Sequence, residues 1–335
     1  MGAISVLLER KQQSDCKKKK EGTTIETLNV RSPHARGKVQ ELIYKLKRYR
    51  WDILGFAEVK WTGFGKTTTD GGRKIWCCGE DSKHQYGLAF IVWKGVVGSI
   101  ISCTPISSKL ISIRSSAGPH NITVIQVYAP TSHHEDEKVE QFYEQLDSVI
   151  AKAPKKDILV VQCDWNAKVG RHAYQHWAGT VGRFGIGQTN DRGWKLSEFA
   201  DSHRCTLAKT LYPYRLSRTA TWHASHGQIH NQVDLILTPQ PFKSSIKKAN
   251  ARSFPGTDIG SDHDLVFTTI KLKLKTKCFT QSPRIRFDLE KLKDPKTAEV
   301  FQANVGGKFA ALRVLDSDVD TLANSIKEGL LSTAK

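Results

Sequence analysis

Short apolar runs that stop at a polar or acidic residue recur along this chain. Ile158–Val161 leads into Asp164-Trp165-Asn166, and Ile53–Ala57 leads into Glu58. Runs of this length read as buried strands. Leu88–Trp93, Leu110–Arg114, Ile122–Tyr128, Gln232–Leu237 and Leu265–Ile270 follow the same pattern, and Thr27–Val30 is a shorter case. Gly95, Gly98, Pro105 and Gly118-Pro119 punctuate them as turns. Helical spacing appears at Val39, Leu42, Ile43 and Leu46, and again at Val139, Phe142, Leu146, Val149 and Ile150 within Glu135–Lys152. A third helix carries Trp194, Leu196 and Phe199 behind a cap at Asp191. Val181–Thr189 is rich in glycine and reads as a surface loop.

The chain thus twice writes a helix, a strand opening Asp-Ile-Leu, and then an acid. This suggests a duplicated α/β unit. Two such halves can pack sheet against sheet with helices outside, bringing Glu58 and Asp164 to one edge. Residues 1–22 read as a basic disordered tail and 23–273 as the main domain. Residues 274–335 read as a linker and helical extension, with Leu289, Leu292, Val300 and Phe301 at loose helical spacing.

Composition narrows the class. The 335 residues carry a formal net charge of +18, so the surface attracts polyanions. Nucleic acid, acidic membrane and phosphorylated small molecules are the candidate partners. Lys17–Lys20 reads as a nuclear-import cluster or as part of a solvated tail. No window approaches the roughly 20 apolar residues of a membrane span. The N-terminal apolar patch precedes its basic cluster, the reverse of a secretory signal. Seven scattered cysteines without a CxxC point to a reduced, intracellular chain without a disulfide framework or zinc site. The expected location is nuclear, otherwise cytoplasmic.

Against this frame, Asn29, Glu58, Tyr128, Asp164, Asn166, Asp234, Asp262 and His263 all sit at or beside strand ends. Ligands of α/β proteins bind there. Asp164 and Asn166, two apart on extended chain, share one face. Each residue has a plainer reading. Asp164-Trp165-Asn166 could be an Asx-rich turn, Asp234 a buried hydrogen-bond partner, His263 a structural histidine, and Glu58 a partner of Lys60 or Thr62. Acids at the ends of buried runs are costly unless paired or bound to metal, and four acids with two carboxamides, one Tyr and one His are harder to dismiss together.

These residues carry a resemblance. The motifs LNVR at Leu28, DILGFAEVKWTG at Asp52, VYAPT at Val127, CDWNAKVG at Cys163, TW at Thr221, QVDLIL at Gln232 and GSDHDLV at Gly260 span residues 25–272. In this order and spacing they resemble the endonuclease/exonuclease/phosphatase superfamily. Within it, they are similar to the apurinic-type endonuclease domain of RTE-class non-LTR retrotransposons. RIRFDLEKLKDP and GGKFA resemble the linker that leads into a reverse transcriptase, so the extension is expected to be a truncated lead-in to one.

The resemblance implies a four-layered α/β sandwich of the DNase I type and phosphodiester hydrolysis with Mg²⁺, Mn²⁺ being an alternative ion. It implies that Glu58 is the main metal ligand, with Asn29 and Asp262 at the same site. Asp164 would activate water, Asn166 would hold the water or the phosphate, and Tyr128 and His263 would contact the scissile phosphate. Asp234 would orient His263 and favour its cationic form. The products would be a 3′-hydroxyl and a 5′-phosphate. The expected partner is the DNA phosphate backbone, with no membrane and no obligate protein partner. The family usually has Gly where Cys163 stands, and often Trp at Leu28. Three functions fit the residues: a DNA-nicking endonuclease, a noncatalytic nucleic-acid or chromatin binder, and a phosphatase of the same superfamily. The loops at Arg171–Thr189 and Tyr212–His230 are the candidates for reading DNA, with Tyr212, Tyr214, Arg215, Arg218 and Trp222 suited to backbone contact or a wedge.

Overall fold

A computed structural model of the protein describes residues 22–31, 36–48, 51–246, 252–254, 260–271, 289–312 and 319–333. It divides into two compact units, 1–274 and 275–335. The basic run at Lys17–Lys20 lies outside the described residues.

The first unit holds two sheets. Strands β1 (Thr23–Asn29), β2 (Ile53–Ala57), β3 (Phe64–Thr68), β4 (Lys74–Cys78) and β5 (Leu88–Val92) belong to one. Strands β6 (Ile100–Ser107), β7 (Leu110–Ser115), β8 (Ile122–Tyr128), β9 (Ile158–Asp164) and β10 (Cys205–Leu207) belong to the other. A small hairpin follows, β11 (Trp222–His223) with β12 (His230–Asn231). Then β13 (Asp234–Pro239) joins the second sheet, and β14 (Arg252–Phe254) and β15 (Leu265–Ile270) join the first. The sheet orders are β14-β15-β1-β2-β5-β4-β3 and β10-β13-β9-β8-β7-β6. Among the described strands, β1/β2 and β8/β9 pair in parallel and the other pairs are antiparallel, so both sheets are mixed.

Helices cover the outer faces. Helix α1 (Arg36–Lys45) and the turn after it bury Leu42, Ile43 and Leu46 against Leu28, Leu54 and Phe56. Helices α2 (Asp136–Lys152) and α3 (Asp191–Ser202) bury Phe142, Leu146, Leu196 and Phe199 against Val127, Val161 and Leu235. Between the sheets lie Ile25, Ile53, Phe90, Ile113, Val124, Val160 and Ile236. The result is four layers, as expected. The alternation within each strand explains it, since Val124 faces the other sheet while Ile125 and Val127 face a helix.

The two helix–strand–acid passages are the two parallel strand–helix–strand units, β1-α1-β2 and β8-α2-β9. Their final strands run side by side into the same edge of the sandwich. One residue layer below that edge the sheets are joined by polar side chains. Gln126 Nε2 donates to Thr27 Oγ1 (2.8 Å), and Gln162 Nε2 donates to Gln126 Oε1 (3.0 Å) and to the Glu26 carbonyl (2.9 Å). Gly55 makes the room: a Cβ there would lie 2.1 Å from Gln126 Oε1.

Some sequence expectations need correction. Strands β3, β4 and β6 were not expected; β4 holds the run Ile75–Cys78, which was not read as a strand. Helix α3 is capped by Asn190, whose side chain accepts from the Gly193 N–H, while Asp191 is already helical. Val181–Thr189 is not simply a surface loop: Val181 is buried, and a Cβ on Gly182 or Gly185 would lie 2.0 or 2.1 Å from the backbone of Thr210 or Val169. In the second unit, Leu289 and Leu292 lie in a short 3-10 turn, Val300 and Phe301 in helix α4 (Pro295–Leu312), and a further helix, α5 (Val319–Thr333), lies beyond the spacing that was read. Among the described residues no helix is long and apolar enough to cross a membrane.

Candidate active site

Strand ends deliver the site. Register places Asn29 opposite Ala57, so Glu58 is the next residue out, and places Tyr128 opposite Asp164. Asp164 is in turn opposite Asp234 on β13. His263 is joined to Trp222 by an isolated bridge, which hangs the Asp262–His263 pair over the same edge.

Asn29 links the two halves. Its amide nitrogen donates to Glu58 Oε1 at 2.9 Å and to Asp164 Oδ2 at 3.0 Å. Its oxygen accepts the Arg31 N–H at 3.0 Å, which fixes the amide's orientation and turns its nitrogen to the carboxylates. Glu58 has φ of 55°, in the left-handed region that non-glycine residues occupy at a cost of order 1–3 kcal/mol. Tyr128 is buried and hydrogen-bonds Glu58; burial first, then Glu58 and Asp164, push its phenol well above its ordinary pKa. It therefore stays a donor.

His263 is 9% exposed and sits among three acids. Its Nδ1 is 2.8 Å from Asp234 Oδ2. Its Nε2 is 3.9 Å from Asp164 Oδ2 and 4.0 Å from Asp262 Oδ1, beyond hydrogen-bond reach of either. Burial alone would lower its pKa, but Asp234, with Asp164 and Asp262 behind it, outweighs burial and brings it to about 9. The ring is thus a cation with one N–H tied to Asp234 and the other without an acceptor in hydrogen-bond reach among the described residues. Asp164 is pushed above the usual carboxylate range by burial and then by Asp234; His263, the Asn166 N–H and Asn29 pull it back in part.

Asn166 corrects the simple picture of two side chains on one extended face. The strand ends at Asp164 and Asn166 has φ of 48°. Its N–H donates to Asp164 Oδ1 (2.9 Å) and its Nδ2 to the Ala129 carbonyl (2.8 Å). The Asx-type turn and the site residue are the same structure. Trp222 is neither a core residue nor a free wedge, since its Nε1 donates to Asp262 Oδ2 at 2.8 Å. Tyr212 packs against the inter-sheet core and donates to the Ile246 carbonyl. The side chain of Cys163 lies outside the described residues.

Several contributors were not singled out from sequence. Arg31 reaches Asp262 at 2.5 Å. Thr221 Oγ1 accepts the N–H groups of Val233 and Asp234, both at 3.0 Å, and so sets the start of β13. Ser261 ties the His263 N–H to the Asn29 carbonyl. Lys209 is buried without a hydrogen-bond partner for its ammonium; burial lowers its pKa to about 7, against the opposing pull of Asp234 and Asp264. Arg31 and Thr221 lay inside the quoted motifs LNVR and TW, which was the available signal.

The fold is that of the endonuclease/exonuclease/phosphatase superfamily, with two mixed sheets flanked by helices. Residues 122–267 match the family described as endonuclease-reverse transcriptase. Among known proteins the chain is similar to craniofacial development protein 2 of Bos taurus and of Tragulus javanicus, each 41% identical over 256 residues. The aligned stretch is 76% of this chain but 42% and 43% of those relatives, so this chain spans under half their length. Solved structures agree on the fold. The endonuclease domain of TRAS1, a telomere-specific non-LTR retrotransposon, matches with a TM-score of 0.50 at 15% identity, covering 75% of this chain and 100% of that one. The AP endonuclease LMAP of Leishmania major matches with a TM-score of 0.55 at 13% identity, covering 78% and 91%.

The superfamily implies a divalent ion. Asp164, Asp234 and His263 could between them offer three ligand atoms within 4.8 Å of one another. A metal there would have to displace the proton His263 holds to about pH 9 and break its bond to Asp234. Glu58 fits a hard ion better: it is partly exposed and held in place by Asn29, and at the same sheet edge Asp262 Oδ1 is buried without a hydrogen-bond partner among the described residues. Asn29 turns its nitrogen toward Glu58, so it supports that carboxylate and does not itself present an oxygen.

Proposed function

We propose that this protein is a metal-dependent DNA endonuclease that hydrolyses the phosphodiester backbone. The observation that carries this reading is His263: cationic, oriented by Asp234, and with no acceptor among the described residues within 3.5 Å of its Nε2–H. Such a donor suits a phosphate oxygen on which charge grows. A Mg²⁺ or Mn²⁺ ion, held by Glu58 with Asp262 close by, would supply Lewis-acid stabilisation of that charge.

The chain's own groups then have distinct tasks. Asp164 takes the proton of the attacking water, its carboxylate kept in place by Asn29 and the Asn166 N–H. Asn166 spends one amide hydrogen on Ala129 and has a second for the water or the phosphate. Tyr128 steadies Glu58 and offers a neutral donor beside it. The bond that breaks is to the 3′-oxygen, leaving a 5′-phosphate. The net charge of +18 suits a polyanionic substrate, and nuclear localisation is proposed with it. A supercoiled-plasmid assay tests the reading. Mg²⁺-dependent conversion to the nicked form supports it. Binding without nicking would replace it with a noncatalytic DNA-binding role. Turnover of soluble inositol phosphates without nicking would replace it with a phosphatase.

A further inference from the structure

Beside Tyr128 lies a second group of polar side chains that the reaction above does not use. Tyr86, Lys109 and His134 come from three loops fastened to the site by backbone hydrogen bonds. The Tyr86 carbonyl accepts the Lys60 N–H (2.8 Å), two residues past Glu58, and the Lys109 carbonyl accepts the Tyr128 N–H (3.1 Å). The Tyr86 ring lies 5.8 Å from the Tyr128 ring, and Tyr86 is held at φ of 55°.

The protons of this group can be assigned. The Thr131 N–H donates to His134 Nδ1 at 3.1 Å. A backbone amide can only donate, so Nδ1 carries no proton and the ring's proton is on Nε2. Burial first and then the neighbouring charge of Lys109 lower the pKa of His134; the contact with the Thr131 backbone opposes them, Lys138 and Arg192 add to them, and the net shift is downward, which favours the neutral ring. Nε2 is 3.5 Å from Tyr86 Oη and points its N–H at that oxygen. The Tyr86 hydroxyl then keeps its own hydrogen to donate.

Above the same ring, the Lys109 ammonium lies 4.6 Å from the centroid. Burial lowers the pKa of this lysine; Glu80 opposes that at longer range and Lys138 adds to it. Among the described residues no carboxylate forms an ion pair with Lys109. Of the acids at the adjoining helix start, Asp136 pairs with Arg192 at 2.8 Å and Glu135 with Lys138 at 3.7 Å, and Glu137 makes no ion pair with Lys109 among the described residues. Among the described residues, a half-buried cation without a counter-ion and a hydroxyl donor without an acceptor thus sit together on one aromatic ring, next to the proposed active site.

We propose that Tyr86, Lys109 and His134 form a second phosphate subsite, which holds a phosphate of the bound nucleic-acid strand next to the one that is cleaved. Lys109 supplies the charge, Tyr86 a directional hydroxyl, and His134 the hydrogen bond that turns that hydroxyl outward. This rests on the nucleic-acid reading of the neighbouring site.

The test is duplex-DNA binding by the full chain without metal, followed against salt, for wild type, Lys109→Met, Tyr86→Phe and a control, Lys152→Met, at the opposite end of the helix that starts beside the subsite. One lost phosphate contact lowers the log–log salt slope by about 0.9. Lys109→Met should show that loss and bind about tenfold more weakly, the scale of a charge-assisted hydrogen bond. Tyr86→Phe should weaken binding with the slope unchanged, because the charge remains. In the nicking assay Lys109→Met should raise KM and leave kcat close to wild type. If wild type binds DNA with a Lys109-dependent slope but never cuts, the subsite stands and the nuclease reading falls. A slope for Lys109→Met equal to that of Lys152→Met, or a wild type that binds no duplex, overturns the subsite. Lys109→Arg, which keeps the charge, should keep the wild-type slope, and separates loss of charge from any loss of folded protein seen in melts.

Discussion

At the scale of single residues, the site depends on how His263 is charged. Its pKa is raised to about 9 in the fold, against about 6.5 for an unperturbed histidine. A group raised on folding contributes stability that is complete below about pH 6.5 and is lost as pH rises through 9. Thermal melts of the metal-free protein should therefore fall between those values. Asp164, raised by burial and Asp234, tilts the curve the same way at lower pH. Asp234→Asn removes the main cause of the histidine's shift and should flatten the fall. A curve of the same steepness in that variant would show that the pair is not what raises the pKa. In cleavage, His263→Ala and Asp234→Asn should each cost at least about 100-fold, as expected for a positioned donor. Because Asp234 acts through His263, the double variant should be little worse than His263→Ala. Multiplying losses would mean the two act separately.

At the scale of elements, the strands deliver these residues to one edge, and the glutamine bridge beneath holds the edge in register. Gln126 and Gln162 lie two residues before Tyr128 and Asp164, and Thr27 two before Asn29. Gly55→Ala would put a methyl group into the Gln126 amide. Overpacking of this kind costs about 1–3 kcal/mol. A chemical-denaturation midpoint equal to wild type would show that the sheets separate freely there. Strands β2, β8 and β9 were legible because each is an apolar run that leads into a polar group, and the expected Ile122–Tyr128 and Leu265–Ile270 match the observed limits of β8 and β15. Strand β3 was not legible because every residue in it is exposed and no face of it is selected for apolarity. Strand β6 is interrupted by Pro105 and has two register shifts against β7. The cap of α3 was misplaced by one residue because Asn190 and Asp191 are both good caps, and only the fold shows which side chain meets the Gly193 N–H.

At the scale of the whole molecule, the duplicated unit and the excess of positive charge define what the chain can do. The repeat was readable as two short matches, and the structure shows what they produce: Glu58 and Asp164 sharing the amide of Asn29. Partners far apart in sequence, such as Thr221 with Asp234 and Arg31 with Asp262, were not readable, since no local pattern records them. With a net charge of +18, DNA affinity should fall steeply with salt. A log–log slope near zero would mean that uncharged contacts dominate.

The central claim is that Glu58 and its neighbours hydrolyse DNA with a bound divalent ion. Its most direct test compares wild type and Glu58→Gln on one end-labelled duplex with Mg²⁺, at DNA occupancies matched by a binding assay, with product ends mapped. The amide keeps the side chain's shape and loses the charge that would hold the ion. The account predicts 5′-phosphate and 3′-hydroxyl ends from wild type, and from Glu58→Gln a folded protein that binds the duplex but cuts at least about 100-fold more slowly. Cutting by Glu58→Gln at the wild-type rate, or full binding by wild type without any cut, would contradict it.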